Sequence, residues 1–374
     1  MTRLVLPCVL LFTAGSVQAQ TAPMELARLQ GAISLDGVMD DEAWQRILPL
    51  PLTMYLPVAG GEPTQRTEIR VAYDDEHLYV GGWFYDDDSS GIRINSLYRD
   101  RWNGDDALAI CIDAFNDNRN AKWFGTTPGG IRFDILLSDD GNTQNPSWDT
   151  FWDSRVTVTG EGWFAEVRIP FSSLGFVVDD AQRAVMGLTV TRLVSRSAER
   201  VTFPAIDPSV EFRRPSAAQD VVLRDVRTRR PLHVTPYAMT GRADHAVAAV
   251  PTGFRREHDT STEVGLDVRF PLSSQLSLDL SVNTDFAQAE ADDQQVQLDR
   301  SPLFFPKRRR FFQEGGARLV GRVGDWDVGL LDMQTQAAHG LPAENAGVLR
   351  LRRGILNPWS TAGLPHMRQD PSGT

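Results

Sequence analysis

Hydrophobic and polar residues alternate over much of the chain, which is the pattern of half-buried β-strands. Residues 67–73 (TEIRVAY) alternate in this way, Asp74 and Asp75 supply a turn, and residues 77–85 (HLYVGGWFY) alternate again. This arrangement predicts a β-hairpin. The same criteria predict five further strands, at residues 107–114, 131–136, 154–158, 163–169 and 185–193.

Helical signals are scarce. One short helix is predicted after Asp40 and Asp41, because Asp is a favourable N-cap and Ala43, Trp44 and Ile47 can share one face. The predicted fold class is therefore all-β.

The second half of the chain also predicts strands, with apolar residues on one face. In the segment TEVGLDVRFPLSSQLSLDLSVNTDF, residues 262–286, two alternating strands are joined by a turn around residues 271–274. Their apolar positions are Val264, Leu266, Val268 and Phe270, then Leu276, Leu278, Leu280 and Val282. Strands of this kind suit either a β-sandwich or a barrel whose outside meets lipid, and the pattern leaves both alternatives open.

The composition changes between these two halves. Residues 203–220 (FPAIDPSVEFRRPSAAQD) mix Pro, Ser and charged residues, and residues 224–232 (RDVRTRRPL) are rich in Arg. Such stretches are typical of linkers. The predicted organisation is a signal peptide at 1–19, a first β-domain at 20–205, a linker at 206–232 and a second β-domain at 233–374.

The N-terminus has the layout of a cleavable secretion signal. Arg3 precedes an apolar run at residues 4–12, and small residues lead to Ala19. Cys8 lies in the predicted signal, so the mature chain keeps only Cys111 and forms no internal disulfide. Cys111 lies within a predicted strand and is interpreted as a small core residue.

The overall charge disfavours nucleic-acid binding. The 374 residues include 38 Lys and Arg against 49 Asp and Glu, a net charge of −11, whereas phosphate contacts need a basic face. One dense basic run, residues 307–310, is flanked by Phe304, Phe305, Phe311 and Phe312. It is interpreted either as an aromatic and cationic band at a membrane interface or as a solvated turn, and no nucleic-acid partner is predicted.

Four segments, in order, resemble a family 9 carbohydrate-binding module. They are LDGVMDDEAWQ (35–45), TEIRVAYDDEHLYVGGWFYDDD (67–88), GDDALAICIDAFND (104–117) and GWFAEVRIPFSSLGF (162–176). The resemblance covers about residues 30–205. It implies an immunoglobulin-like or jelly-roll-type β-sandwich that binds a polysaccharide or oligosaccharide.

Residues 277–315 resemble a second, uncharacterised family that follows such modules in large Gram-negative outer-membrane proteins. This resemblance implies antiparallel strands of a membrane β-barrel, outer-membrane lipid as a partner, and a periplasmic or outer-membrane location. Residue 316 leads at once into further strands and the sequence stops at Thr374, where relatives continue. The expectation is therefore an internally shortened and truncated member with an incomplete barrel.

Sugar binding combines aromatic platforms, which stack on C–H faces, with polar side chains that bind hydroxyls. Trp102, Trp148 and Trp152 lie in polar, loop-like sequence and are the predicted platforms, with Trp123 as a weaker candidate. Trp83 and Trp163 lie within alternating strands and are interpreted as core. The predicted hydroxyl partners are Arg99, Arg101, Asn103 and Asn145.

The family resemblance also implies structural Ca²⁺, a cation that prefers several oxygen ligands. Asp86, Asp88, Asp105 and Asp106 are the candidate ligands, with solvated acidic loops as the alternative. No HExxH, GxSxG or phosphate-binding loop is present. The main hypothesis is a glycan-binding protein of the cell envelope, accessory to polysaccharide breakdown or uptake; the alternative is an exported glycoside hydrolase with Asp105 and Glu166 as its carboxylate pair.

Overall fold

The described residues form two β-sheet units. The structure is a computed structural model that describes residues 22–227, 232–248, 254–273, 276–283, 315–324, 326–334, 343–354 and 361–372. The predicted signal peptide and the basic run at 307–310 lie outside the described residues, and both stay predictions.

The first unit occupies residues 22–227. Within the described residues its strands are β1 (Met24–Glu25), β2 (Ala27–Arg28), β3 (Thr53–Leu56), β4 (Thr67–Tyr73), β5 (His77–Tyr85), β6 (Ala107–Asp113), β7 (Ala121–Thr126), β8 (Arg132–Ser138), β9 (Thr143–Asn145), β10 (Asp153–Thr159), β11 (Gly162–Pro170), β12 (Arg183–Val194), β13 (Glu199–Phe203) and β14 (Gln219–Arg224). Helix α1 (Glu42–Gln45) lies where the sequence predicts it, and a second short helix, α2 (Phe171–Leu174), follows β11.

These strands form a β-sandwich, as the family resemblance implies. The larger sheet runs in the order β1-β14-β12-β6-β7-β8-β9, and β13 pairs with both β12 and β3. The smaller sheet runs in the order β10-β11-β5-β4-β2. The five further strands predicted from the sequence correspond to β6, β8, β10, β11 and β12.

The predicted hairpin is confirmed. Strands β4 and β5 pair in register from Thr67 opposite Phe84 to Tyr73 opposite Leu78. The Asp74 carboxylate accepts hydrogen bonds from the backbone N–H groups of Glu76 and His77, both at 2.7 Å. Asp therefore shapes this turn by hydrogen-bonding to its own backbone, as short polar side chains commonly do.

The core lies between the two sheets. Phe84 and Trp163, which are opposite each other on β5 and β11, stack with ring centroids 4.1 Å apart. Leu108, Ile110 and Ile112 of β6 face them from the larger sheet. Trp163 is fully buried, which confirms it as a core residue, and Trp83 packs on the outside of the smaller sheet against the cluster around Trp44.

The predicted linker at 206–232 is wrong over most of its length. Strand β14 pairs with β1 and β12, and Val226 is fully buried. Ile206 and Phe212 pack on the outer face of the larger sheet, where the Tyr55 hydroxyl donates to the Val210 carbonyl at 2.9 Å. Proline and charge in this segment resembled a linker, but its spaced apolar residues bury against the sheet and extend the sandwich to residue 226.

A buried guanidinium links the two sheets. Arg192 of β12 is fully buried, and its Nη1 donates to the Arg66 carbonyl at 3.1 Å and to Thr67 Oγ1 at 2.6 Å. Its Nη2 donates to the carbonyl of Tyr85 at 2.8 Å. Burial lowers the pKa of Arg192 to about 10, and the charge of Asp106 opposes this shift. These bonds fix the edges of β4 and β5 to β12.

The second unit is an antiparallel sheet whose strands pair in chain order. Its strands are β15 (His233–Ala248), β16 (Phe254–Pro271), β17 (Leu276–Val282), β18 (Gly315–Val323), β19 (Trp326–Gln334), β20 (Ala343–Gly354) and β21 (Thr361–Ser372). The described part of this sheet is open, because β15 and β21 are its two edges. Among the described residues, no helix is long and apolar enough to cross a membrane.

The register of this sheet separates an apolar face from a polar one. Opposite residues of antiparallel strands lie on the same face, and the pairs Leu278–Leu319, Leu319–Leu330 and Leu330–Leu349 continue one apolar row across four strands. The other face carries ion pairs, including Arg269 with Asp279 at 2.8 Å. The one-faced pattern predicted for Val264–Phe270 and Leu276–Val282 is confirmed.

We predict that Arg192→Leu lowers the free energy of unfolding by about 3 to 5 kcal/mol, because it leaves Asp106 buried without its opposite charge and removes three close hydrogen bonds between the sheets. Urea unfolding of the full chain, followed by tryptophan fluorescence, measures this change. The control is Arg155→Leu, at an exposed position of β10. A loss below about 1 kcal/mol, the range of ordinary surface changes, would contradict the role given to Arg192.

Candidate functional site

A cavity of about 140 Å³ opens on the outer face of the larger sheet. Side chains alternate across a strand, so the residues of β6 and β12 that point away from the core form its floor. Ala107 and Ala109 of β6 leave room because their side chains are short, and Thr191 and Leu193 of β12 lie beside them. The sequence therefore creates this space by placing small residues at the outward positions of a central strand.

Four aromatic side chains wall the cavity: Trp102, Trp123, Phe133 and Phe212. The ring centroids of Trp123 and Phe133 are 5.3 Å apart, and those of Trp123 and Phe212 are 6.5 Å apart. Gly125 lies opposite Phe133 in the β7–β8 pair, and the Phe133 ring occupies the space that a Cβ at Gly125 would need. Because Gly125 has no side chain, the Phe133 ring can lie across β7.

Trp102 is the accessible platform of the group. Its side chain is 42% exposed, and its indole Nε1 donates to the Asp105 carbonyl at 2.9 Å. The Asp105 carboxylate accepts hydrogen bonds from the backbone N–H groups of Asn95, Ser96 and Asn103. The loop that presents Trp102 is therefore organised around one buried carboxylate.

Charged side chains complete the first cavity. Arg200, Glu211 and Arg213 line it, and the Arg213 Nε lies 2.9 Å from Glu211 Oε1. The Arg200 guanidinium lies 4.3 Å from the centroid of the Phe212 ring, and burial lowers the pKa of Arg200.

A second cavity, also of about 140 Å³, shares Trp102, Trp123 and Phe133 with the first. Asp100, Asp134, Ile135 and Pro146 complete its lining. The buried Asp134 carboxylate accepts from Arg99 Nη2 at 2.7 Å and from the backbone N–H of Thr150 at 2.8 Å. Burial raises the pKa of Asp134, and it raises the pKa of Asp100 to about 6. The two cavities therefore share aromatic walls and differ in charge.

Of the four predicted platforms, Trp102 and Trp123 line both cavities. The interpretation of Trp152 as a platform is wrong, because its side chain is 3% exposed and packs edge-on against Phe124 in the core. Trp148 also packs against this core, with Lys122 Nζ 5.7 Å from its ring centroid, and it lines neither cavity.

The predicted hydroxyl partners lie around the second cavity without lining it. Arg99 forms an ion pair with Asp134 at 2.7 Å, and the Arg101 guanidinium lies 5.5 Å from the centroid of the Tyr98 ring. Asn103 lies on the Trp102 loop, where its carbonyl accepts from the Asn95 amide. Asn145 is exposed next to Pro146, and its side-chain oxygen accepts from the backbone N–H of Ser147.

The four candidate calcium ligands do not form a metal site. Within the described residues, no three His, Cys, Asp or Glu side chains are grouped to hold a metal ion. Asp86 pairs with Arg196 at 2.6 Å, and Asp88 accepts from Ser90. Asp105 organises the Trp102 loop, and Asp106 accepts from the Ser195 backbone N–H at 2.9 Å. Arginine supplies the positive charge at this end of the sandwich, so these residues do not fit the expected Ca²⁺.

The carboxylate pair of the hydrolase hypothesis has structural contacts. Glu166 of β11 is fully buried and accepts from the Asp36 and Gly37 backbone N–H groups and from Trp44 Nε1, all within 3.0 Å. Asp105, at the start of β6, is equally buried and accepts three backbone N–H groups. Glu166 lies on the smaller sheet and Asp105 next to the larger one. Cys111 is buried as predicted, and burial raises its pKa.

The sequence reasoning missed most of the side chains that line the cavities. They are Asp100, Asp134, Phe133, Ile135, Pro146, Thr191, Leu193, Arg200, Glu211, Phe212 and Arg213. The alternation of β8 could have identified Phe133 as outward-facing. Glu211, Phe212 and Arg213 lay in the segment interpreted as a linker, where no local pattern indicates burial.

Two family models match the chain. A model described as "Carbohydrate family 9 binding domain-like" matches residues 35–203, and one described as a domain of unknown function (DUF5916) matches residues 229–319. Residues 35–203 are therefore similar to a family 9 carbohydrate-binding-like domain, which agrees with the sequence resemblance. The second match covers the segment that resembles an uncharacterised family, and its description gives no location or activity.

No curated protein matches the chain. Among solved structures, a family 9 carbohydrate-binding module from Caldicellulosiruptor kristjanssonii in complex with cellotriose shares 15% identity over 55% of this chain and 94% of that chain, with a TM-score of 0.35. The same module in complex with glucose gives 15% identity, 55% and 96% coverage, and a TM-score of 0.35. The domain assignment rests on the family model and on the sandwich itself.

We predict that Asp100→Asn changes the free energy of unfolding, relative to the wild type, by about 1 to 2 kcal/mol more in the stabilising direction at pH 7 than at pH 4. This range includes a reduction for the partial exposure of Asp100 to solvent. The pKa of Asp100 is about 6 in the folded protein and about 3.9 in an unfolded chain. The folded state therefore binds more protons between these values, and its stability falls as pH rises through this window. The Asn side chain does not titrate, so the variant does not lose stability in this way as pH rises.

Urea unfolding of the wild type and the variant at pH 4 and pH 7 measures the difference. Asp180→Asn, at an exposed turn position, is the charge-matched control. An Asp100→Asn effect of the same size at both pH values would contradict the raised pKa of Asp100.

Proposed function

We propose that the sandwich domain binds a carbohydrate in the cleft formed by the two cavities. The observation that carries the proposal is the convergence of Trp102, Trp123 and Phe133 with charged side chains on both sides. Sugars present flat C–H faces and rims of hydroxyl groups, so aromatic walls with a few polar groups meet both requirements. The match of residues 35–203 to a carbohydrate-binding-like family supports the same ligand class.

The cleft is suited to binding because its walls are held in place before any ligand arrives. Trp102 is fixed by its hydrogen bond to Asp105, and Phe133 is fixed across Gly125. Walls that are already ordered lose little conformational entropy when a sugar stacks on them. The contacts of Asp105 and Glu166 are structural, and no observation favours the hydrolase alternative.

We predict that Trp102→Ala weakens glycan binding at least about tenfold, because one face of the ligand loses its stacking partner; a tenfold change corresponds to about 1.4 kcal/mol. The measurement is calorimetry of the purified full chain against the plant, bacterial or storage polysaccharide that a binding screen selects. Tyr98→Ala is the control, since Tyr98 is an exposed aromatic on the same loop that lines neither cavity.

Two outcomes would contradict the carbohydrate proposal. One is the absence of binding to every polysaccharide in the screen. The other is an equal loss of affinity in Trp102→Ala and Tyr98→Ala, which would place the ligand elsewhere.

We further propose that the protein is exported to the cell envelope of a Gram-negative bacterium and that the β15–β21 sheet is part of an outer-membrane β-barrel. The support is the separation of its faces. Apolar side chains such as Val264, Val282 and Trp326 are exposed on one face, and ion pairs such as Arg352 with Asp327 lie on the other. Lipid-facing strands have this alternation, with the polar side turned inward. A broad apolar face of this kind is suited to contact with lipid.

We predict that Leu330→Arg lowers the membrane-bound fraction of the full chain, whereas Leu331→Arg leaves it much closer to wild type. These adjacent residues of β19 lie on the apolar and the polar face, respectively. A cation on a lipid-facing strand costs about 2 to 4 kcal/mol at the bilayer centre. Fractionation of expressing cells, with immunoblotting of membrane and soluble fractions, tests the difference. Recovery of the wild-type chain in the soluble fraction would overturn the membrane proposal.

A further inference from the structure

Arg200 is a charged side chain of the first cavity, where the charge of Glu211 acts on it without a direct ion pair. Its guanidinium makes no hydrogen bond and no ion pair within the described residues, and it lies 4.3 Å from the centroid of the Phe212 ring. Arg213 and Glu211 line the same cavity and neutralise each other through their 2.9 Å ion pair. The cavity therefore carries a net positive charge at Arg200.

The position of Arg200 makes this charge available to a ligand. Arg200 lies on β13 opposite Leu193 of β12, and both side chains line the cavity. Burial of the side chain lowers its pKa, which reflects the cost of holding a guanidinium against aromatic rings, and the charge of Glu211 opposes this shift. An incoming acceptor would offset that cost, and a planar carboxylate matches the fork of guanidinium N–H groups in a bidentate arrangement.

The second cavity has the opposite preference. Asp100 and Asp134 line it, and their carboxylates would repel an anion. Asp134 is buried with both oxygens hydrogen-bonded, so Asp100 is the carboxylate that could accept from sugar hydroxyls. Trp102, Trp123 and Phe133 separate the two regions. A sugar chain stacked on these rings would therefore meet a cation at one end and carboxylates at the other.

We propose that the cleft is specific for an acidic glycan, with the carboxylate of a uronate residue bound by Arg200 and the hydroxyls of the adjoining residue directed toward Asp100. The inference rests on the proposed carbohydrate-binding function and defines its ligand class. The chain as a whole carries a net charge of −11, so recognition of the anion depends on direct contact with Arg200 and not on long-range attraction.

The test compares uronate oligosaccharides with their methyl esters, which keep the shape of the sugar and remove its charge. Calorimetry of the full chain would use trimers of galacturonate, mannuronate, guluronate and glucuronate, each with its ester. At least one free acid is expected to bind about tenfold or more tightly than its ester. In Arg200→Gln this preference for the free acid over the ester is expected to disappear.

Three variants keep the result interpretable. Arg155→Gln, at an exposed position of β10, makes the same change of charge outside the cleft and should keep the preference. Arg200→Lys keeps the charge without the planar fork and should retain only part of it. Trp102→Ala should weaken binding of acid and ester alike. Urea midpoints of all variants establish that each is folded, and Arg200→Gln is expected to fold because Arg200 makes no hydrogen bond within the described residues.

Three results would overturn the inference. If neutral sugars bind and no uronate is preferred to its ester, the acidic specificity is wrong and the carbohydrate-binding function stands. If the preference survives in Arg200→Gln, the carboxylate is bound elsewhere. Absence of binding to any sugar, acidic or neutral, would overturn the proposed function as well.

Discussion

The buried guanidinium of Arg192 determines how the end of the sandwich that holds the cleft is built. A buried Arg is costly unless its N–H groups are hydrogen-bonded, and here Arg66, Thr67 and Tyr85 supply the acceptors from the opposite sheet. Since side chains alternate along β12, turning Arg192 inward turns Thr191 and Leu193 outward onto the cavity floor. The same strand therefore joins the sheets and shapes the binding surface.

The strands could be predicted from the sequence because each has a local signal. Alternation over residues 67–85, with Asp74 at the turn, indicates a hairpin without any tertiary information. Residues 206–226 have no such signal. Ile206 and Phe212 bury only because the outer face of β6, β7 and β8 offers them an apolar surface, and β14 forms only because β12 has a free edge. Long-range packing decides both features.

The same distinction explains which site residues could be identified. Trp102 lies in a polar loop and is exposed, whereas Trp152 lies in an equally polar sequence and is buried against Phe124. The local sequence around a tryptophan therefore does not show whether its ring is an exposed platform or part of the core. The acidic loops were also ambiguous, because a carboxylate that binds Ca²⁺ and one that accepts backbone N–H groups are the same residue in the sequence. Asp105 is of the second kind.

The charge asymmetry of the cleft follows from which carboxylates have a cation nearby. Arg99 lies beside both Asp134 and Asp100, at 2.7 and 3.4 Å, and Arg213 pairs with Glu211. Arg200, by contrast, makes no ion pair within the described residues. Packing beside Phe212 does not require a guanidinium, since a Leu or Met there would pack without the desolvation cost. Retaining Arg200 at that position is understandable if the missing anion belongs to the ligand.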